Sequence, residues 1–245
     1  MSPTAVLHAE WIKIRSLRAS LGSLLALAVV TLVITALVLG SLDPTDGSPV
    51  HDDPLLRAFY ALNFAQVAAL AFGTTAMSCE YAHHALRLSL TAVPRRDLFY
   101  LAKAAVIGAA ALLVGAVTVF GSFFLGQALL GEHGIGIGDP GALRACLGGA
   151  VGLALTALLA TGVTTLLRSG IATLSILIPL FLILSFVIGD TAGGAAEFLP
   201  DRAGRQILHT DPEGALGPWS GLGVLALWAL AALCAGWWSL RRRDA

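Results

Sequence analysis

The sequence predicts an all-α integral membrane protein: six transmembrane helices preceded by an N-terminal amphipathic interfacial helix, with both termini cytoplasmic. Three observations predict it. Only 12% of the 245 residues are charged and 57% are hydrophobic, whereas a soluble domain carries roughly 25% charged residues. Mean hydropathy is +0.82, so charge is too scarce to cover a soluble fold and the bilayer must act as solvent for much of the chain. Finally, six apolar runs approach the length of about 20 residues that crosses a bilayer, and lysine and arginine fall unevenly between them.

The elements follow in order. In residues 3–20, Leu7, Trp11, Ile14 and Leu21 lie near one helical face, although Arg18 joins that face and Ile12 leaves it. With Trp11, Lys13, Arg15 and Arg18, the segment suits a helix lying on the cytoplasmic leaflet; a plain basic tail that sets topology is the alternative. The apolar run at 21–42 is too long for a signal-peptide core and reads as a retained first span. The next runs are 55–78, 98–125, 142–167, 171–189 and 219–240. The run at 98–125 is long enough to tilt or to project beyond the bilayer. The fifth is the shortest and holds Pro179, which lacks a donor and clashes with the preceding turn, so a kink is expected. A re-entrant segment is the alternative there. The whole chain, 1–245, reads as one transmembrane domain without a nucleotide-binding domain.

Orientation follows from the basic residues. Six spans put Lys13, Arg15, Arg18, Arg87, Arg95, Arg96, Lys103, Arg168 and Arg241–Arg243 on one side, against Arg57, Arg144, Arg202 and Arg205 on the other. The first side is therefore expected to be the cytoplasm, with the membrane crossed several times. The acidic residues Asp43, Asp46, Asp52, Asp53, Glu132, Asp139, Asp190, Glu197, Asp201, Asp211 and Glu213 fall outside. The outer loops span 43–54, 127–141 and 190–218; within the last, 197–208 is expected to form a short surface helix. Inside, 80–97 is the substantial loop, and Arg168-Ser169-Gly170 is a tight turn.

Several chemistries find no support. There is no G-x-x-x-x-G-K-[ST] phosphate loop. The glycines Gly136, Gly138 and Gly141 match G-x-G-x-x-G but lack a preceding strand; they lead through Asp139 and Pro140, expected as N-cap and N1, into a membrane helix. No H-E-x-x-H, G-x-S-x-G or paired intramembrane aspartate supports proteolysis; Ser122 follows Gly121, but no span holds a histidine. His83 and His84 are adjacent and His51 neighbours Asp52 and Asp53, patterns that suit solvated loops better than a metal site. Cys79, Cys146 and Cys234 are odd in number and lack ligand spacing. A net charge of zero gives no basis for nucleic-acid binding.

Polar side chains in hydrocarbon need partners. Thr31 and Thr35 share a face of the first span, and Asn63 and Gln66 a face of the second. Interhelical hydrogen bonding and the lining of a translocation path are both open readings. Gly148 and Gly152, and Gly108 and Gly115, permit close helix contact within one chain or between two. No chain of intramembrane acids suggests an ion-coupled transporter, so transport would draw energy from elsewhere.

The inner loop, from Ser78-Cys79-Glu80-Tyr81-Ala82-His83-His84-Ala85-Leu86-Arg87 through Leu88-Ser89-Leu90-Thr91-Ala92-Val93-Pro94-Arg95-Arg96, resembles the E-Y-x-x-G-T-x-R-x-[TS]-L-x-A-V-P-R-R pattern of ABC-2 type transporter permeases, an actinobacterial-like version of a bacterial exporter subunit. Glu10-Trp11-Ile12-Lys13-Ile14-Arg15-Ser16, Phe198-Leu199-Pro200 with Ala203-Gly204, and Leu240-Arg241-Arg242-Arg243-Asp244-Ala245 resemble the same family, in order along the chain. The resemblance implies a permease that pairs with a second permease subunit, identical or related, and is served by a separate soluble ABC ATPase subunit. That partner holds ATP and Mg, and this chain binds no cofactor. It implies that 80–97 is a coupling helix, with Glu80, Tyr81, Arg87, Pro94, Arg95 and Arg96 matching the pattern, and Pro94 ending the helix before the third span. His84 and Ala85 stand where Gly and Thr are usual, and Ala82 replaces a common polar residue, which leaves open where the coupling helix begins. A basic topology signal is the simpler account of the loop. A membrane-embedded partner-binding or immunity protein, and an intramembrane enzyme, are the competing functions.

Overall fold

In the computed structural model the described residues are 2–41, 55, 59–82, 85–131, 135–184, 193–210 and 215–242. Among them there are helices and turns and no strand. Four helices are long and apolar enough to cross a membrane: α2 (Arg18–Ser41), α5 (Arg96–Leu130), α6 (Ala142–Leu167) and α9 (Pro218–Arg242). The others are α1 (Pro3–Ser16), α3 (Leu62–Ser78), α4 (Ala85–Ala92), α7 (Gly170–Pro179) and α8 (Pro200–Arg205). The expected second and fifth runs correspond to shorter described helices, α3 of 17 residues and α7 of 10. The outer loop at 43–54, His51, Arg57, His83, His84, Glu132, Asp190, Asp211, Glu213 and Arg243 lie outside the described residues.

Local chemistry sets most boundaries. Ser2 caps α1, its hydroxyl accepting from the Ala5 amide at 3.3 Å with Pro3 in the first turn. Leu17 is extended, with φ −81° and ψ 109°, and breaks α1 from α2. The N-terminal helix is therefore shorter than expected, and the first span starts at Arg18. α1 also has a face that packs on the rest of the chain. Val6, Glu10 and Ile14 turn inward, while Leu7 and Trp11 are each 37% exposed. A polar residue at the centre of the inward face hides it from a purely apolar reading.

α6 begins later than Asp139 and Pro140 suggest. Gly141, at φ +90°, is the N-cap, a conformation that glycine adopts without penalty. Asp139 instead closes the preceding turn, its carboxylate accepting from the Gly136 amide at 2.6 Å. The turn between α6 and α7 is as tight as expected: Arg168 is left-handed at φ 54°, and Ser169 caps α7 by accepting from the Ala172 amide. After Pro179 the α-helix gives way to a π-turn at Leu180–Leu184, the response expected where an amide is missing. α5, with 35 residues, is about 52 Å long, well beyond a hydrocarbon core of roughly 30 Å.

α6 is the hub, packed by α3, α5 and α9. Of its most apolar stretch 61% is buried, against 22% for α2. Small residues make this closeness feasible, because packing rather than water exclusion joins helices in lipid. A Cβ on Gly73 would stand 2.1 Å from the Ala157 carbonyl oxygen, and one on Gly162 2.4 Å from the Ala232 carbonyl carbon. A Cβ on Gly148 would meet Ile207 at 2.1 Å, so this half of the glycine pair packs inside the chain. α2 lies at the edge: Leu25, Val29, Val33 and Leu37 form an exposed apolar stripe, while Leu24, Leu27, Thr31 and Thr35 face inward.

The expected surface helix at 197–208 is a further correction. It forms, as α8 with short 3-10 flanks, but Pro200, Asp201, Ala203, Gly204, Ile207 and Leu208 are buried against α6 and α9. Small residues let it pack: a Cβ on Gly204 would stand 2.9 Å from Leu225 of α9.

Candidate functional site

Both termini reach one end of the bundle. Arg96, opening α5, donates to the Leu240 carbonyl of α9 at 2.9 Å, and Lys103, two turns further along α5, meets Glu10 of α1. The same end holds Lys13, Arg15, Arg18, Arg87, Arg95, Arg168, Arg241 and Arg242. Among the described residues the other end holds Arg144, Arg202 and Arg205, so the basic asymmetry read from sequence is real in space.

At the basic end four charges close a ring. Lys13 of α1 donates to Glu10 at 2.9 Å, to Glu80 at 3.0 Å and to the Ser89 hydroxyl of α4 at 3.0 Å, using all three ammonium protons. Lys103 donates to Glu80 and stands 2.9 Å from the other oxygen of Glu10, a charge contact without a directed hydrogen bond. Ser89 donates to the second oxygen of Glu80 at 2.7 Å. Signs alternate around the ring, and the two acids balance the two lysines. The side chains of Glu10, Glu80 and Lys103 are 4%, 3% and 1% exposed, and Lys13, at 36%, closes the outer side over the Phe99 ring.

Such a ring is stable only when complete, because a buried charge without a partner costs several kcal/mol. Burial by itself would raise the Glu80 pKa, but the Lys103 charge and hydrogen bond, with Ser89 and Lys13, hold it below the ordinary glutamate value. Glu80 lies on the 3-10 turn Cys79–Tyr81 that follows α3. The ring thus locks α1, the end of α3, α4 and the start of α5 into one body. Next to it, Tyr81 donates to the Thr165 carbonyl at 3.4 Å and packs 6.0 Å from the Arg168 guanidinium. Burial pushes its phenol up to about 12, against the opposing charge of Arg168.

α4 has two faces. Leu86 is buried, and Leu90 and Val93 pack with Met77, Phe99, Tyr100 and Leu240. Arg87, Leu88 and Thr91 face outward, and Leu88 is 70% exposed. Pro94 lies between α4 and α5, where the chain changes direction; Arg95 is extended and exposed, with φ −81° and ψ 96°. Of the residues matching the family pattern, Glu80 belongs to the ring, Tyr81 flanks it, Arg87 is on the outward face, and Pro94, Arg95 and Arg96 form the hinge into α5.

Thr31 and Thr35 are buried, whereas Asn63 and Gln66 are half-buried. Thr31 donates to the Leu27 carbonyl, and Thr35 shares a 2.7 Å hydrogen bond with Ser122 of α5. Asn63 accepts from Arg205 at 3.4 Å. Gln66 borders a void of about 10 Å³ beside Gly149, Gly152 and Gly204, at the lower limit for one water. Among the described residues no three His, Cys, Asp or Glu side chains gather as metal ligands.

Sequence reading found Glu80 but not its partners. Lys103 stands alone in an apolar run, and its isolation there is the signal of a buried role; Glu10, with His8 and Lys13 nearby, gives no such signal. No family model, curated protein or solved structure matches this chain.

Proposed function

We propose that this chain is the permease subunit of an ATP-driven exporter, with six spans, cytoplasmic termini and α4 as the coupling helix. The observation that carries the reading is the charged ring, which fixes a short helix with an outward face to the ends of three longer ones. A push on Leu88 or Arg87 passes through Glu80 and Lys13 to α1 and through Lys103 to α5, because a closed ring of buried charges moves as a unit or not at all. The driving partner would be a soluble ABC ATPase carrying ATP and Mg, and a second permease subunit would complete the path. The sequence pattern from Glu80 to Arg96 supports the same assignment, and the bacterial plasma membrane is the location it implies.

The test is purification of the tagged full chain from its native membrane in mild detergent, with ATP hydrolysis assayed and bound subunits identified by mass. A soluble ATPase should co-purify and be lost with Leu88→Asp or Arg87→Glu, while the permease itself is recovered intact. Recovery of the chain alone in every case would put the partner-binding alternative first.

A further inference from the structure

Beyond the ring, the basic end holds a second feature, which shares Arg95 and Arg96 with the coupling segment but draws its other residues from α5 and α9. A cleft of about 710 Å³ opens where α5 begins and α9 ends, bordered by Arg95, Arg96, Asp97, Leu98, Leu101 and Arg241. Three arginines and one aspartate border it. Asp97 is held by the Trp237 indole, which donates to it at 2.8 Å, and lies 3.7 Å from Arg241. It therefore orients Arg241 from one wall, while Arg96 is pinned to the other by the Leu240 carbonyl. Arg95 is exposed at the mouth and makes no ion pair among the described residues.

The surroundings are those of a membrane surface. Arg241 stacks 4.8 Å from the Trp237 ring and Arg242 4.3 Å from that of Trp238; tryptophan and arginine together at the end of an apolar helix are typical of the headgroup layer. Leu98 and Leu101 are three residues apart on one face of α5, and Leu101 is 64% exposed. They lie up to about 8 Å further along the helix than the arginines, in the direction of the hydrocarbon. Positive charge at headgroup level above an apolar wall fits an amphiphile with an anionic head.

We infer that this cleft binds an anionic glycerophospholipid, its phosphate held by Arg95 and Arg241 and its acyl chain lying on Leu98 and Leu101. A soluble phosphate would have no use for the leucines, and a zwitterionic lipid would leave the excess positive charge unmatched. The inference rests on the membrane-crossing helices α5 and α9 and not on the exporter reading.

Native mass spectrometry of the full chain, released from detergent with added phosphatidylglycerol or phosphatidylcholine, tests it. Phosphatidylglycerol should remain bound where phosphatidylcholine dissociates. R95Q/R241Q should weaken phosphatidylglycerol binding roughly ten- to thirtyfold. R95K/R241K should retain most of it, and R15Q/R18Q, which removes two exposed charges elsewhere, should leave it unchanged. Equal retention of the two lipids by the unaltered chain would overturn the inference, as would full binding by R95Q/R241Q. Displacement by millimolar glycerol phosphate would make the site one for a soluble anion. Loss of a co-purified protein from R95Q/R241Q, with lipid binding intact, would make it a protein-docking surface.

Discussion

At the end that carries the termini, Glu10, Lys13, Glu80 and Lys103 close a ring across four elements. At the far end, Asp201 and Arg205 pair within one turn of α8 at 2.8 Å, and Arg205 donates across to Asn63 of α3 at 3.4 Å. The two groups sit at opposite ends of the same helix, α3. Asp201 is as buried as Glu80, but its arginine is 33% exposed, so one side of that pair keeps contact with solvent or headgroups. The ring keeps only the outer flank of Lys13 in such contact. A local pair fixes the shape of one loop. A ring joining residues 67 and 23 positions apart fixes where whole helices stand.

The comparison breaks most sharply at Lys103. Lys103→Met leaves two buried acids facing one lysine and should destabilise the fold by about 3–5 kcal/mol, read as a lower Tm in detergent. K103M/E80Q, which restores charge balance, should recover part of that loss; a double variant no better than the sum of the singles would show that the ring is not a unit.

Acid should attack the ring next. Because Glu80 titrates below its ordinary value of 4.5, the stability it supplies is complete above that value and is lost as pH falls through the lower folded-state pKa. Tm should therefore drop on acidification below about pH 4.5, and Glu80→Gln should flatten that drop while lowering Tm at neutral pH. At the far end, Arg205→Met should cost about 1 kcal/mol, since its partner is local and the arginine is partly exposed; a loss as large as that of Lys103→Met would erase the distinction between the ends. The smallest effect belongs to the midspan hydrogen bond: T35V/S122A should cost about 0.6 kcal/mol, measured by the same unfolding assay.

Legibility in the sequence followed the range of the force concerned. The run at 98–125 was visible because hydropathy sums over neighbours, and α5 extends past it at both ends, from Arg96 to Leu130. Pro179 announced its irregularity because a missing amide acts within one turn. Asp139 misled because a good cap residue stood next to a proline suited to the first turn, and the backbone placed Gly141 at the cap instead. The inward face of α1 was not read from the sequence because Glu10 occupies its centre, and a carboxylate points inward only where its two lysines come to meet it. The segment at 197–208 was expected at the surface because it lies within an outer loop, yet Gly204 and Ala203 let it fit against α9.

The sequence by itself determined that this is a helical membrane protein with its basic residues concentrated at one end, since apolar length and charge position are properties of the chain that no packing can reverse. Only the tertiary structure decided which charges neutralise one another, which glycines admit which backbone, and that α1, α4 and α5 are joined through one set of charges. The physical reason is that a buried lysine or a missing Cβ has no meaning until a partner from a distant part of the chain comes within about 3 Å, and no local pattern in the sequence records that encounter.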